Sequence, residues 1–281
     1  MFDRFARSWQ LTKQSFAVLS KNPVLMVFPC LSALATLLVI ASFVVPLFKA
    51  GALNSMAEHH GQVQPLYYVV MFAFYYCCYF VQIFFNCALM ASANMVLCGG
   101  KTTLQDGIGL AFSRLGRIAA WALIASTVGL ILRTLQERAG MVGKIIIALL
   151  GAAWSILTYF IVPVVMFEDE GLFDGIKRSG QLVAKTWGEG LANGVTLSAL
   201  NLLAFALWVI GGIVAFMLHP LVGVLWAIGY LCLWMIVVAT VEGIFRVALY
   251  RYAWIGAKTD LFDQNLIENA FVQKPSKKFG F

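Results

Sequence analysis

The sequence predicts an all-α polytopic membrane protein: about six transmembrane helices arranged as three hairpins, with amphipathic interfacial helices on the cytoplasmic side. Three observations carry that expectation: long unbroken apolar blocks, a one-sided placement of lysine and arginine, and a segment repeated ahead of alternate blocks. Of 281 residues, 61% are apolar and 12% charged, with a mean hydropathy of +0.85. A soluble domain keeps its surface wet with roughly 25% charged residues. It would also spread its apolar residues over half-faces of helices and strands, whereas here they run continuously.

A spanning helix needs about 20 mostly apolar residues at a rise of about 1.5 Å each. Six blocks qualify: 24–48, 66–97, 118–135, 145–167, 191–218 and 221–249. The second and sixth are longer than the hydrocarbon layer is thick, so they are expected to tilt or to project as helix into the cytoplasm. His219 and Pro220 separate the last two, because proline disfavours helix at the residue before it. The amphipathic opening MFDRFARSWQLTKQSF lacks the short basic region and small-residue exit site of a cleaved signal, so the N-terminus is expected to be retained.

Orientation follows from the cost of translocating cations. Sixteen of the 20 lysines and arginines fall in one alternating set of segments, among them Arg4, Arg7, Lys13, Lys101, Arg114, Arg117, Lys177, Arg178, Lys185, Arg246 and Arg251. Only Lys49, Arg133, Arg138 and Lys144 fall in the other set. Both termini and the second and fourth loops are therefore expected in the cytoplasm. The chain is organised as one membrane domain, 1–256, with hairpin units at about 1–98, 99–168 and 169–256, followed by a cytoplasmic tail at 257–281.

The repeat places FDRFARSWQL, from Phe2, against FDGIKRSGQL, from Phe173, with six of ten positions identical. Asp106, Gly107 and Ile108 hint at a third copy of Asp174, Gly175 and Ile176. The unit suggested is an interfacial helix followed by a two-helix hairpin, used three times about an axis along the membrane normal. In the first copy Phe2, Phe5, Trp9, Leu11 and Phe16 supply an apolar side while Arg4, Arg7 and Lys13 stay near lipid phosphates. In the second, Leu172, Ile176, Ser179 and Val183 keep helical spacing, with Lys177 and Lys185 offset from the stripe.

Pro163 near the end of a span, Glu168 five positions on, a short acidic turn, and a helix carrying Arg178, Ser179 and Leu182 make a recognisable series. Together with Phe5, Ala6, Arg7, Ser8, Trp9, Gln10 and Leu11, it resembles bacterial integral membrane proteins of unknown function. These are similar to the multi-helix membrane domain that precedes some glycerophosphodiester phosphodiesterases. The resemblance implies a multi-pass protein of the bacterial inner membrane with no assigned reaction. The soluble phosphodiesterase barrel has no counterpart here, because no stretch alternates strands and helices around clustered histidines and carboxylates. Glycine at 180, where position 9 has tryptophan, is the main departure within the repeat.

Residues that can carry chemistry are few. Glu168 at the mouth of the fourth span can pair with Lys177, Arg178 or Arg7, pinning the amphipathic helix to the bundle; the functional alternative is a gate or ion site. Glu242 and Arg246, four apart on the sixth span, can pair and so lower the cost of charge near the membrane. Gln82, Asn86 and Asn94 on the second span, and Asn193, Thr196 and Asn201 on the fifth, lie on broad polar faces. Such faces are expected to look inward, as glue between helices or as the walls of a polar path.

No nucleophile elbow, zincin or Walker motif is present. His59 and His60 read as a solvated loop pair, and Cys30, Cys77, Cys78, Cys87, Cys98 and Cys232 as apolar packing residues, so neither metal nor cofactor is expected. The reading is a non-enzymatic protein that organises or regulates at the cytoplasmic face. Its partners are anionic lipid headgroups and a protein partner or second copy, with no nucleic acid. The alternative is a transporter or lipid-handling permease with a path between the second and fifth spans.

Overall fold

The computed structural model describes residues 2–49 and 65–255; within them, the side chains of 2–11, 47, 49, 65–68, 186–197, 199, 252, 254 and 255 lie outside the description. Every regular element among the described residues is a helix. In order these are α1 (Phe2–Lys21), a 3-10 turn (Pro23–Met26), α2 (Val27–Lys49), α3 (Pro65–Leu97), α4 (Leu104–Ser113), α5 (Leu115–Arg138), α6 (Met141–Leu157), α7 (Ile161–Phe167), α8 (Leu172–Leu218) and α9 (Pro220–Ile255). Among the described residues six stretches are long and apolar enough to cross a membrane: Pro23–Pro46, Val69–Leu97, Leu115–Arg138, Met141–Phe167, Leu200–Leu218 and Pro220–Arg251. They overlap the six blocks read from the sequence, the fifth beginning at Leu200 rather than at 191. His59, His60 and the tail lie outside the described residues.

Two corrections concern helix boundaries. The fourth span is not one helix: it breaks at Thr158, Tyr159 and Phe160, between α6 and α7. Pro163 explains the break, since its ring collides with the carbonyl four residues earlier, at Tyr159, and its nitrogen offers no hydrogen. The interfacial segment at 172–185 is not a separate short helix either, because α8 runs unbroken for 47 residues into the fifth span. Between Lys185 and Leu191 no proline interrupts it, and glycines 188 and 190 cost only about 1 kcal/mol each in a helix interior.

Two compact units divide the chain, one drawing on Met1–Met26, Ala93–Thr102 and Gln181–Phe281, the other on Val27–Ser92 and Thr103–Gly180. In the first, α1 packs on α9 and the 3-10 turn seats against both. The described part of α1 buries Thr12, Ser15, Val18 and Leu19 at helical spacing, so its buried stripe is half polar and small. The last third of α8 meets α9 through a ladder of aromatic donors. Trp208 Nε1 donates to the Ala227 carbonyl (3.0 Å), Trp226 Nε1 to the Trp208 carbonyl (3.3 Å), Tyr230 Oη to the Ala204 carbonyl (3.0 Å) and Trp234 Nε1 to Asn201 Oδ1 (3.0 Å). Residues 226, 230 and 234 recur every four positions, so one face of α9 presents all three donors. Glycines make room for the rings: a Cβ at Gly211 would lie 2.4 Å from the Trp226 ring, and one at Gly223 2.2 Å from Phe216.

In the second unit α5 and α6 pack against each other across the link at Ala139 and Gly140, with Trp121 stacked on Trp154 (centroids 6.0 Å apart). Tyr79 of α3 reaches α5 at Gly129, where a Cβ would lie 2.7 Å from its hydroxyl, and Tyr75 bonds Arg133. Thr103 opens α4 with a capping box: its hydroxyl accepts from the Asp106 N–H and the Asp106 carboxylate accepts from the Thr103 N–H. The Thr103 hydroxyl, which also donates to Asp106 Oδ2 at 2.7 Å, and then the Thr103 N–H hold the Asp106 carboxyl below the usual carboxylate range. Gly107 then meets α3 so closely that a Cβ would lie 2.2 Å from Ser92 Oγ and 2.8 Å from the Ala88 carbonyl oxygen.

Candidate functional site

Of the residues that carry the resemblance, Pro163, Glu168, Arg178 and Ser179 lie at the junction of α7 and α8, and the side chains of 5–11 are outside the description. α7 is short and buried from Ile161 to Met166, and it ends in the acidic turn Glu168, Asp169 and Glu170. Four residues of the start of α8 meet this junction. Gly175 faces Val164 and Ile161, where a Cβ would sit at 3.3 and 3.5 Å. Arg178 Nε donates to Glu168 Oε2 at 3.3 Å. Buried Ser179 Oγ accepts from the Phe160 N–H at 3.0 Å, satisfying a backbone donor that the helix break frees. At Gly180 the Leu157 Cδ1 atom would lie 2.7 Å from an added Cβ, so glycine is what lets α8 close on the end of α6.

Two arginines that the sequence reading counted only for orientation complete the cluster. Arg114, in the one-residue link between α4 and α5, and Arg117, in the first turn of α5, both donate to Asp169 Oδ1, Arg117 at 3.1 Å. Arg117 also donates to the Glu168 backbone carbonyl. The two carboxylates differ in setting: the Glu168 side chain is 4% exposed and that of Asp169 77%. The Arg114 guanidinium, with Arg117 beside it, holds the Asp169 carboxyl below the usual carboxylate range. Chemically the junction is a latch of opposite charges: a buried carboxylate bound to Arg178 and an exposed one bound to Arg114 and Arg117.

Other predicted residues are placed as follows. Glu242 and Arg246 pair one turn apart on α9, as expected. Asn94 accepts from Arg251 Nη1 at 2.8 Å, and the same nitrogen lies 2.8 Å from Cys98 Sγ. Asn201 accepts from Trp234. Gln82 and Asn86 correct the inward expectation: both are exposed. α3 buries Ile83, Phe84, Cys87, Ala88 and Ala91 instead, because the small and apolar side packs more closely than the amide side. Lys13, Lys177 and Lys185 are exposed, while the side chains of Arg4, Arg7, Trp9, Asn193 and Thr196 lie outside the description. Among the described residues no three His, Cys, Asp or Glu side chains gather as a metal site, and the six cysteines are free thiols.

Six apolar helical stretches of membrane-crossing length among the described residues give the chain the make-up of a multi-pass helical membrane protein. It belongs to the family described as Family of unknown function (DUF6159), whose model matches residues 65–260. The matched region holds the capping box of α4, the whole latch and the aromatic ladder. No curated protein and no solved structure matches the chain.

Proposed function

We infer that the protein is non-enzymatic and organises or regulates at the cytoplasmic face of a bacterial inner membrane, holding anionic lipid headgroups and a protein partner through its basic helix ends. Both termini lie in the cytoplasm, by the distribution of lysine and arginine. The resemblance of the motif at the α7–α8 junction to the membrane domain that precedes some glycerophosphodiester phosphodiesterases is in keeping with this reading. One observation carries the reading: Phe173, 79% exposed, and exposed Lys177 stand four residues apart on one side of the start of α8. An aromatic ring beside a cation at the rim of a span is the signature of a helix face seated among headgroups.

The test is lipid mass spectrometry on the full chain drawn from vesicles of mixed phosphatidylcholine and phosphatidylglycerol. Lys177→Gln with Lys185→Gln is expected to reduce phosphatidylglycerol enrichment severalfold while leaving the latch intact. Equal enrichment in the variant would remove the headgroup reading.

A second reading, a transporter or lipid-handling permease, draws on exposed Gln82 and Asn86, which a polar solute can satisfy. Its test is uptake: Asn86→Leu or Asn201→Leu abolishes transport of a solute in a chain that still folds and inserts.

A further inference from the structure

We propose that the chain self-associates through one stripe of α3, Cys78, Gln82 and Asn86, with the amides of two copies pairing across a two-fold axis along the membrane normal.

The depth of these amides follows from helix length alone. The hydrocarbon layer takes about 20 helical residues, and the candidate span is Val69–Leu97. The earliest such stretch covers about 69–88 and the latest about 78–97, so both contain positions 82 and 86. No tilt or vertical shift of the helix brings both amides to water. The four described amides singled out in the spans then divide sharply. Asn94 is bound to Arg251 and Asn201 to Trp234. Gln82 and Asn86 are exposed, and neither makes a hydrogen bond among the described residues. On the same side of α3, Tyr75 and Tyr79 are taken up by Arg133 and Gly129 of α5, and that cover ends before Gln82. Uncovered amides in hydrocarbon are strongly unfavourable, so a polar surface completes the site.

A second copy meets that requirement with no further component. Every copy inserts in the same direction, so a closed pair has its two-fold axis along the normal and brings like residues together at like depth. A carboxamide carries both a donor and an acceptor and can pair with its own counterpart, which a guanidinium, an ammonium or an ionised carboxylate cannot. Cys78, one turn before Gln82, is short enough to let the helices approach. The stripe recurs every four residues, and two such rows interdigitate where helices cross at about −50°.

The native thiol provides the test. A full-length chain keeping Cys78, with the other five cysteines replaced by serine, is oxidised in membranes with a lipid-soluble oxidant. It should give a product at twice the chain mass, and a chain keeping only Cys232, exposed on α9, should not. No product, or an equal product from the Cys232 chain, overturns the proposal. On the chain with all cysteines present, energy transfer between labelled copies in vesicles should report a dissociation constant raised about tenfold by Gln82→Leu with Asn86→Leu. Gln82→Asn should preserve association, which separates amide pairing from general misfolding. A chain monomeric at every protein-to-lipid ratio, or one whose association ignores the leucine pair, also overturns it. This outcome is independent of phosphatidylglycerol enrichment.

Discussion

α8 takes part in two regions built on opposite chemistry. Its first turns hold the latch, where Arg178, Arg114 and Arg117 meet Glu168 and Asp169 as ions. Its last third holds the ladder, where Trp208, Trp226, Tyr230 and Trp234 donate to neutral acceptors. The difference follows from what each location can solvate. At the rim a charge keeps part of its hydration, so ion pairing is affordable; within a span an ion is costly, and an indole N–H or phenol O–H bonded to a carbonyl removes the donor without introducing charge. In both regions glycine sets the approach, Gly175 and Gly180 at the latch and Gly211 and Gly223 at the ladder.

The comparison can be broken from either side. Arg178→Met removes the Arg178 guanidinium from buried Glu168 and is expected to cost about 3 kcal/mol, read as reversible unfolding in mixed micelles. Adding Glu168→Gln should recover much of that loss. If the double variant is as unstable as the single one, the penalty lies in packing rather than charge. Gly211→Ala comes next: its Cβ crowds a Trp226 ring already tied through Nε1, for about 2 kcal/mol, and Trp226→Leu in the same chain should relieve it. Tyr230→Phe removes one rung with no change in volume. A loss of about 0.6 kcal/mol is expected, and several times that would mean the rungs act cooperatively.

The smallest effect belongs to Asp169, which is mostly exposed. Its carboxyl is held low in the folded chain, so its contribution is present above the unfolded value of about 3.9 and disappears as pH falls through the lower folded value. Melting curves of the wild type and Asp169→Asn should therefore differ slightly at neutral pH and coincide in strong acid. A gap that widens on acidification would contradict the sign.

Much of this was legible in the chain. The spans follow from block length, and the Glu168–Arg178 and Glu242–Arg246 pairs from charges that cannot stay alone near lipid. The break before Pro163 was legible in principle, since proline acts on the carbonyl four residues back, but the apolar run masked it. Arg114 and Arg117 carried only a count of positive charge, because Asp169 is 55 residues from Arg114. Nor was the ladder readable: tryptophan at a regular spacing looks the same whether it faces lipid or a neighbouring carbonyl.

Taken alone, the sequence determined how many times the chain can cross a bilayer and which of its segments are oily, because those properties sum over neighbouring residues. Tertiary structure decided which carbonyl each aromatic donor meets, which arginines hold the acidic turn, and which amides on α3 lack cover. These depend on the register between helices, which close contact at a few glycines sets to within a fraction of a turn and which no local pattern encodes.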